Sequence, residues 1–256
     1  MLTNMVNIFS LQGKNIIKTG ASSGIGRQCA LTCRSQGANV FLLSRNAERL
    51  IDLKNEIGST GCECYAIDLK RFGEYEGVIQ DIVSRHGKIT GFIHSAGIDV
   101  TIPVNSLKSD TIKEVFDINV FAFFELARVL SKNKYSGEYA SYIAISSVMS
   151  FLAQKGKLAY CASKAALTNG VKVLALELAN KNIRVNAVSP AIVKTTMLEE
   201  LLSKIPPESI REIERLHPLG FGSSDDVANA CVFLLSNGSR WVTGSNLIVD
   251  GGYSAQ

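Results

Sequence analysis

The stretch Thr19-Gly20-Ala21-Ser22-Ser23-Gly24-Ile25-Gly26 constrains this chain more than any other. A short, partly apolar strand, Lys14-Asn15-Ile16-Ile17-Lys18, runs into it. A helical pattern leaves it, with Ile25, Cys29, Ala30 and Cys33 on one side, ending near Gly37. Strand, glycine-rich turn and helix in that order are the setting of a dinucleotide-binding βα unit. Gly20 would permit the tight turn, Gly24 would let backbone approach a pyrophosphate, and Gly26 would let helix and strand pack closely. The hydroxyls of Ser22 and Ser23 and the N–H groups around Ile25 would face the phosphates, aided by the positive end of the helix dipole.

The second strand, Asn39–Leu43, decides which dinucleotide is expected. A carboxylate at its end would bond ribose hydroxyls and repel a 2′-phosphate. Here the end is Ser44-Arg45. A hydroxyl beside a guanidinium suits a phosphate dianion, so the expected cofactor is NADP(H), with NAD(H) as the alternative. The competing reading makes Arg45 an ordinary surface arginine. After a helix over Ala47–Ile57, a third strand over Cys64–Leu69 carries Asp68 near its end, placed for the adenine amino group or for capping the next turn. A helix over Tyr75–His86 closes at Gly87. The fourth strand, Ile89–Ile93, ends in His94-Ser95-Ala96-Gly97, whose small residues would lie against the adenine ribose. His94 reads as a packing residue.

Composition narrows the class. With 256 residues and 46% hydrophobic content, the chain can bury one large core. Lys and Arg number 27 against 23 acids, and no basic block occurs, which argues against nucleic acid as the main partner. The six cysteines lack zinc spacing and are expected as reduced thiols, several of them core residues, in a cytoplasmic protein. Met1–Gln12 does not resemble a signal peptide, and no apolar run reaches membrane-spanning length.

The second half brings proton-transfer groups. Tyr160 and Lys164, four apart, share a helix face within 157–180. A free phenol titrates near pKa ~10, and an ammonium one turn away is expected to lower that value. Ser147 follows the apolar run Ile143-Ala144-Ile145, a buried strand whose end would face a ligand crevice. Ser147, Tyr160 and Lys164 converging there would hold a carbonyl oxygen. Alone, the tyrosine–lysine spacing arises by chance on many helices. A long helix over Asp110–Lys132 has a broad apolar surface and carries Asn119, for which a helix kink and a water would supply partners. These two helices are expected to pack against a second copy, giving a homodimer or homotetramer. A strand over Ile183–Val188 ends in Ser189-Pro190-Ala191. The segment 195–217, polar and interrupted by Pro206-Pro207, is expected to be a substrate lid. A helix from Ser224 to Leu235 and a strand over Asn246–Asp250 complete the pattern.

Taken together, these motifs closely resemble the short-chain dehydrogenase/reductase family of the classical type over nearly all of the chain. The residues carrying the resemblance are Thr19-Gly20-x-x-x-Gly24-x-Gly26, Asp68-Leu69, Ala96-Gly97, Asn119, Ser147, Tyr160-x-x-x-Lys164, Ser189-Pro190, Thr195 and Asp250-Gly251-Gly252. The resemblance implies a single α/β Rossmann domain over 1–256, with a seven-stranded parallel sheet and helices on both faces. It implies hydride transfer between a nicotinamide and a carbonyl or secondary alcohol. By position, Tyr160 resembles the acid–base residue, Lys164 its tuner and a ribose ligand, and Ser147 the group that holds the substrate oxygen. Asn119 would anchor a water relaying protons, Val193 and Thr195 would fix the carboxamide, and Leu69, Ser95 and Pro190 would line the cofactor.

The chain departs from the pattern at His94-Ser95, where two asparagines are usual, at Ala191 for glycine, at Thr196 for an acid, and around Gly220-Phe221, where an arginine is often found. The layout is closest to 3-oxoacyl-[acyl-carrier-protein] reductases, and Lys132, Lys134 and Lys181 would offer a basic rim to an acidic carrier protein. Two other readings are a sugar, polyol, steroid or small-alcohol dehydrogenase, and an inactive nucleotide-binding regulator.

Overall fold

Strands buried on both faces are continuous apolar runs, and here successive residues divide between two cores. Ile17, Phe41 and Leu43 enter one core with Phe92, Phe123, Tyr142 and Leu167. Ile16, Val40 and Leu42 enter the other with Cys29, Cys33, Cys231 and Leu234. This computed structural model describes residues 7–195, 198 and 206–255.

The strands are β1 (Asn15–Thr19), β2 (Asn39–Ser44), β3 (Cys62–Ala66), β4 (Ile89–His94), β5 (Ser136–Ile145), β6 (Arg184–Pro190), β7 (Val193–Lys194), β8 (Gly222–Ser223) and β9 (Asn246–Val249). Seven of them form a parallel sheet in the order β3-β2-β1-β4-β5-β6-β9. The helices are α1 (Gly24–Ser35), α2 (Ala47–Ile57), α3 (Tyr75–His86), α4 (Ser109–Phe116), α5 (Ala122–Leu130), α6 (Leu158–Leu178), α7 (Pro207–Arg215) and α8 (Ser224–Leu235). The expected single Rossmann domain is thus present. Its first strand, β1, pairs with β2 on one side and β4 on the other, which opens a crevice above their carboxyl ends.

Local chemistry sets the helix ends. Asn46 caps α2 by accepting from the Arg49 N–H, and Ser223 and Asp226 cap α8 reciprocally. Two boundaries differ from the sequence expectation. β3 begins at Cys62 and ends at Ala66, because its only partner in the sheet, β2, pairs from Val40 to Ser44 and then runs out. The helix expected over Asp110–Lys132 contains a π turn at Asp117–Phe121 between α4 and α5. That turn carries Asn119 inward, where it is fully buried.

The third departure noted in the sequence, Thr196, and the middle of the expected lid, including Met197, lie outside the described residues. Of the expected lid, residues 195, 198 and 206–217 are described, α7 among them. Among the described residues no helix is long and apolar enough to cross a membrane.

Candidate active site

The glycine-rich turn folds as its sequence requires. Gly20 and Gly24 have φ of +65° and +49°, left-handed values that favour glycine. A methyl on Gly20 would fall 2.6 Å from the Ala96 nitrogen, and one on Gly26 would fall 1.9 Å from the Gly20 oxygen. Backbone therefore packs directly on backbone, and α1 starts at the rim of a crevice of about 670 Å³. Gly20, Ser22, Ser23, Gly24, Ile25 and Gly26 line one wall, and Ser44, Arg45, Asp68 and Leu69 the far end. Ser95, Ala96, Gly97 and Thr195 line the rest. An extended ligand rich in phosphate fits this cradle: glycine backbone, a helix N-terminus and exposed guanidinium groups all face it.

At the far end, the Ser44 hydroxyl donates to the Ser22 hydroxyl at 2.9 Å, joining β2 to the turn. Arg45 is exposed, and so is Arg49, one turn along α2, which also lines the crevice. Asp68 accepts from the Lys70 N–H at 3.0 Å, so it caps the next turn while bordering the crevice. The capping reading of that carboxylate is the one its hydrogen bond shows.

Gly97 joins this cradle to the reaction end. A methyl there would meet Asn119 Oδ1 at 3.3 Å and Lys164 Nζ at 3.6 Å. Asn119 clamps the backbone beyond it: its Oδ1 accepts from the Ile98 N–H at 2.8 Å, and its Nδ2 donates to the Ile98 carbonyl and the Ser163 hydroxyl, each at 3.0 Å. The partners expected from a kink and a water are thus supplied by a π turn and by protein groups. Lys164 is buried and donates to the Ile145 carbonyl at 2.8 Å. Its Nζ lies 5.6 Å from the centroid of the Tyr160 ring, and Ser147 stands close enough to the phenol to act on its proton affinity. The three groups expected together are together.

Their electrostatics differ from the sequence expectation. Burial pushes the Tyr160 phenol up to about 12, opposed by the Ser147 hydrogen bond and reinforced by the Asp99 carboxylate. Burial also brings Lys164 down to about 8, with Asp99 acting against it. The expected lowering of the phenol by Lys164 is not seen, because the ammonium sits over the ring and is held by Ile145, and desolvation is the larger effect. Pro190 and Val193 are buried, at the end of β6 and the start of β7, and are not among the residues lining the crevice. Thr195 accepts from the Leu198 N–H at 3.3 Å.

His94 is a packing residue, as its sequence context suggests. Thr19 bonds its Nδ1 at 2.8 Å, and Nε2 faces the Ile118 carbonyl at 3.0 Å, which places the proton on Nε2. Burial holds this imidazole down at about 3, so it is neutral.

Sequence reasoning missed three features of the site. Arg49 follows Arg45 by four residues, a helical spacing that would have found it. Lys157 pairs with Asp99 at 2.7 Å, and its ammonium lies 5.9 Å from the Tyr160 ring centroid. No sequence signal joins those two, which come from separate loops. Lys18, inside an apparently apolar strand, is buried and donates to Ser95 at 2.6 Å.

Comparisons with known proteins agree with this geometry. Residues 20–254 match the family model described as enoyl-(acyl carrier protein) reductase. An L-xylulose reductase of Caenorhabditis elegans is 33% identical over 247 residues, covering 96% of this chain and 98% of that protein. A 3-oxoacyl-[acyl-carrier-protein] reductase of Rickettsia felis is 33% identical over 246 residues, with the same shares covered. Among solved structures, a 7α-hydroxysteroid dehydrogenase complexed with NADH and 7-oxo glycochenodeoxycholic acid superposes with a TM-score of 0.88 at 29% identity, covering 96% of each chain.

Proposed function

The chain belongs to the short-chain dehydrogenase/reductase family, and from that premise we propose that it is an NADP(H)-dependent carbonyl reductase with Tyr160 as its proton donor. Membership makes it an oxidoreductase of CH–OH groups and their carbonyls that uses a nicotinamide cofactor. The observation that carries the proposal is the Lys164 ammonium over the Tyr160 ring, with Ser147 beside the phenol, adjoining a glycine-walled crevice through Gly97.

The chemistry follows from those groups. A carbonyl oxygen between the Ser147 hydroxyl and the Tyr160 phenol would receive two hydrogen bonds. A bound nicotinamide would supply the hydride to the carbonyl carbon. As charge develops on the oxygen, the phenol gives up its proton to it, and Ser147 is the neighbour that eases formation of the phenolate left behind. A phenol near 12 stays protonated at neutral pH, and a lysine near 8 stays charged there, so both begin in the state that reduction needs. Ser44, Arg45 and Arg49 support NADP(H) over NAD(H), because exposed guanidinium groups at the far end favour an added phosphate.

The first substrate class proposed is a 3-oxoacyl thioester, supported by the Rickettsia felis relative. Docking of an acidic carrier protein on Lys132, Lys134 and Lys181 has weaker support. Lys132 and Lys134 are both paired to Glu76, at 2.7 and 3.2 Å, and Lys181 donates to the Ser131 carbonyl. A second reading, reduction of a ketose or polyol precursor, is favoured by the Asp99–Lys157 pair beside Tyr160, which offers a donor and an acceptor to substrate hydroxyls. The segment 195–217 is proposed as the lid. Exposed Phe121, Val173 and Leu176 on the π turn and α6 support pairing with a second copy. Six free thiols, four of them buried in the core, suit a cytoplasmic enzyme.

The test is NADPH oxidation by the purified protein against 3-oxoacyl thioesters, simple ketones and ketoses, with Tyr160→Phe alongside. Preference for thioesters supports the first substrate class and preference for ketoses the second. No turnover with any of them, in wild type and variant alike, would leave a nucleotide-binding protein without activity.

A further inference from the structure

Lys18 stands where the alternation of β1 calls for an apolar side chain. Ile16, two residues earlier on the same face, is fully buried in the core beneath α1 and α8. Lys18 is only 1% exposed. Its ammonium donates to the Ser95 hydroxyl at 2.6 Å and to the Thr19 carbonyl at 3.3 Å. The other groups facing it are thiols: Cys29 and Cys33 from α1 and Cys231 from α8, with neutral His94 on β4 next to Ser95. Among the described residues no carboxylate pairs with it. A buried cation with no counter-ion is costly, and burial accordingly lowers its pKa.

The crevice is a further source of compensating charge, beside those thiols. Ser95 lines the crevice, and its hydroxyl donates to the Thr19 carbonyl at 3.0 Å. The Gly20 backbone lies directly on Ser95 and Ala96. The ammonium therefore sits one hydroxyl below the crevice floor, at the junction of β1 and β4. Ser95 is also the position where the family pattern has an asparagine, so the lysine bonds a hydroxyl that replaces an amide.

We propose that Lys18 is a positioning residue for the cofactor: its ammonium holds Ser95 and the glycine-rich turn in register, and offsets the negative charge of the dinucleotide from beneath. This rests on the reading of the crevice as a dinucleotide site. Bound phosphates would add negative charge to surroundings in which thiols are the groups that favour the cation.

The test is titration of NADPH into wild type, Lys18→Met and Ser95→Ala, with KM and kcat measured alongside. Lys18→Met should raise Kd and KM for NADPH about tenfold, with the loss falling on KM rather than kcat. Ser95→Ala should act in the same direction, about fivefold, and it carries the test by itself where Lys18→Met fails to fold. A Kd within threefold of wild type in every folded variant, or a loss confined to kcat, overturns the proposal. Wild type that binds neither NADPH nor NADH would instead overturn the dinucleotide reading, and this one with it.

Discussion

The two ends of the crevice are built on opposite principles. At the inner end Lys164, Asn119 and Ser163 are buried and Tyr160 is half-buried, and each polar group has protein partners. At the far end Arg45 and Arg49 are exposed on the first turn of α2 and the residues before it. Burial makes the inner groups strong and shifts their proton affinities, because water no longer screens them. It also makes each one hard to replace, since a lost partner leaves an orphaned donor or acceptor. Exposure makes the arginines weaker per contact and freely exchangeable. The chemistry thus sits where substitution is costly, and the choice of cofactor where it is cheap.

The sharpest way to break this contrast is Tyr160→Phe. It should lower kcat about 10³-fold while leaving the Kd for NADPH within about threefold, measured by steady-state oxidation and by titration. An equal loss in both would mean that the buried end serves binding as much as chemistry.

The next effect concerns acid stability. An unfolded imidazole titrates near 6.5, whereas folded His94 is held down at about 3. Between those values the unfolded chain binds the extra proton, so stability falls as pH drops from 6.5 towards 3. Between pH 7 and 4 this contributes about 3 kcal/mol, which His94→Asn should remove from the difference in urea unfolding at the two pH values.

Asn119→Ala should cost about 2 kcal/mol in the same unfolding measurement, because both polar groups of Ile98 lose their partner. Lys164 sharpens the comparison through catalysis. Its value near 8 predicts that the reduction rate declines as pH rises through that point, as the cation beside Tyr160 is lost, and that Lys164→Met abolishes the inflection. The smallest effect belongs to the exposed end. Arg45→Ala with Arg49→Ala should reduce the preference for NADPH over NADH about tenfold, with stability unchanged.

Much of this arrangement was legible in the chain. The glycine turn, the helices Ala47–Ile57, Tyr75–His86 and Ser224–Leu235, and the convergence of Ser147, Tyr160 and Lys164 all follow from local spacing. Strand ends were less legible, because β3 stops where its partner stops and not where its own sequence changes. The π turn was hidden inside an unbroken helical pattern, and the Asp99–Lys157 pair joins residues 58 positions apart.

Sequence by itself determined the order of elements, the glycine cradle and the identity of the reacting groups, since these depend on short-range geometry that each residue carries with it. Only the tertiary structure decided their proton affinities and the company Lys18 keeps. Both depend on how much water is excluded and on which distant strand or helix fills its place, and neighbours in the chain do not specify that.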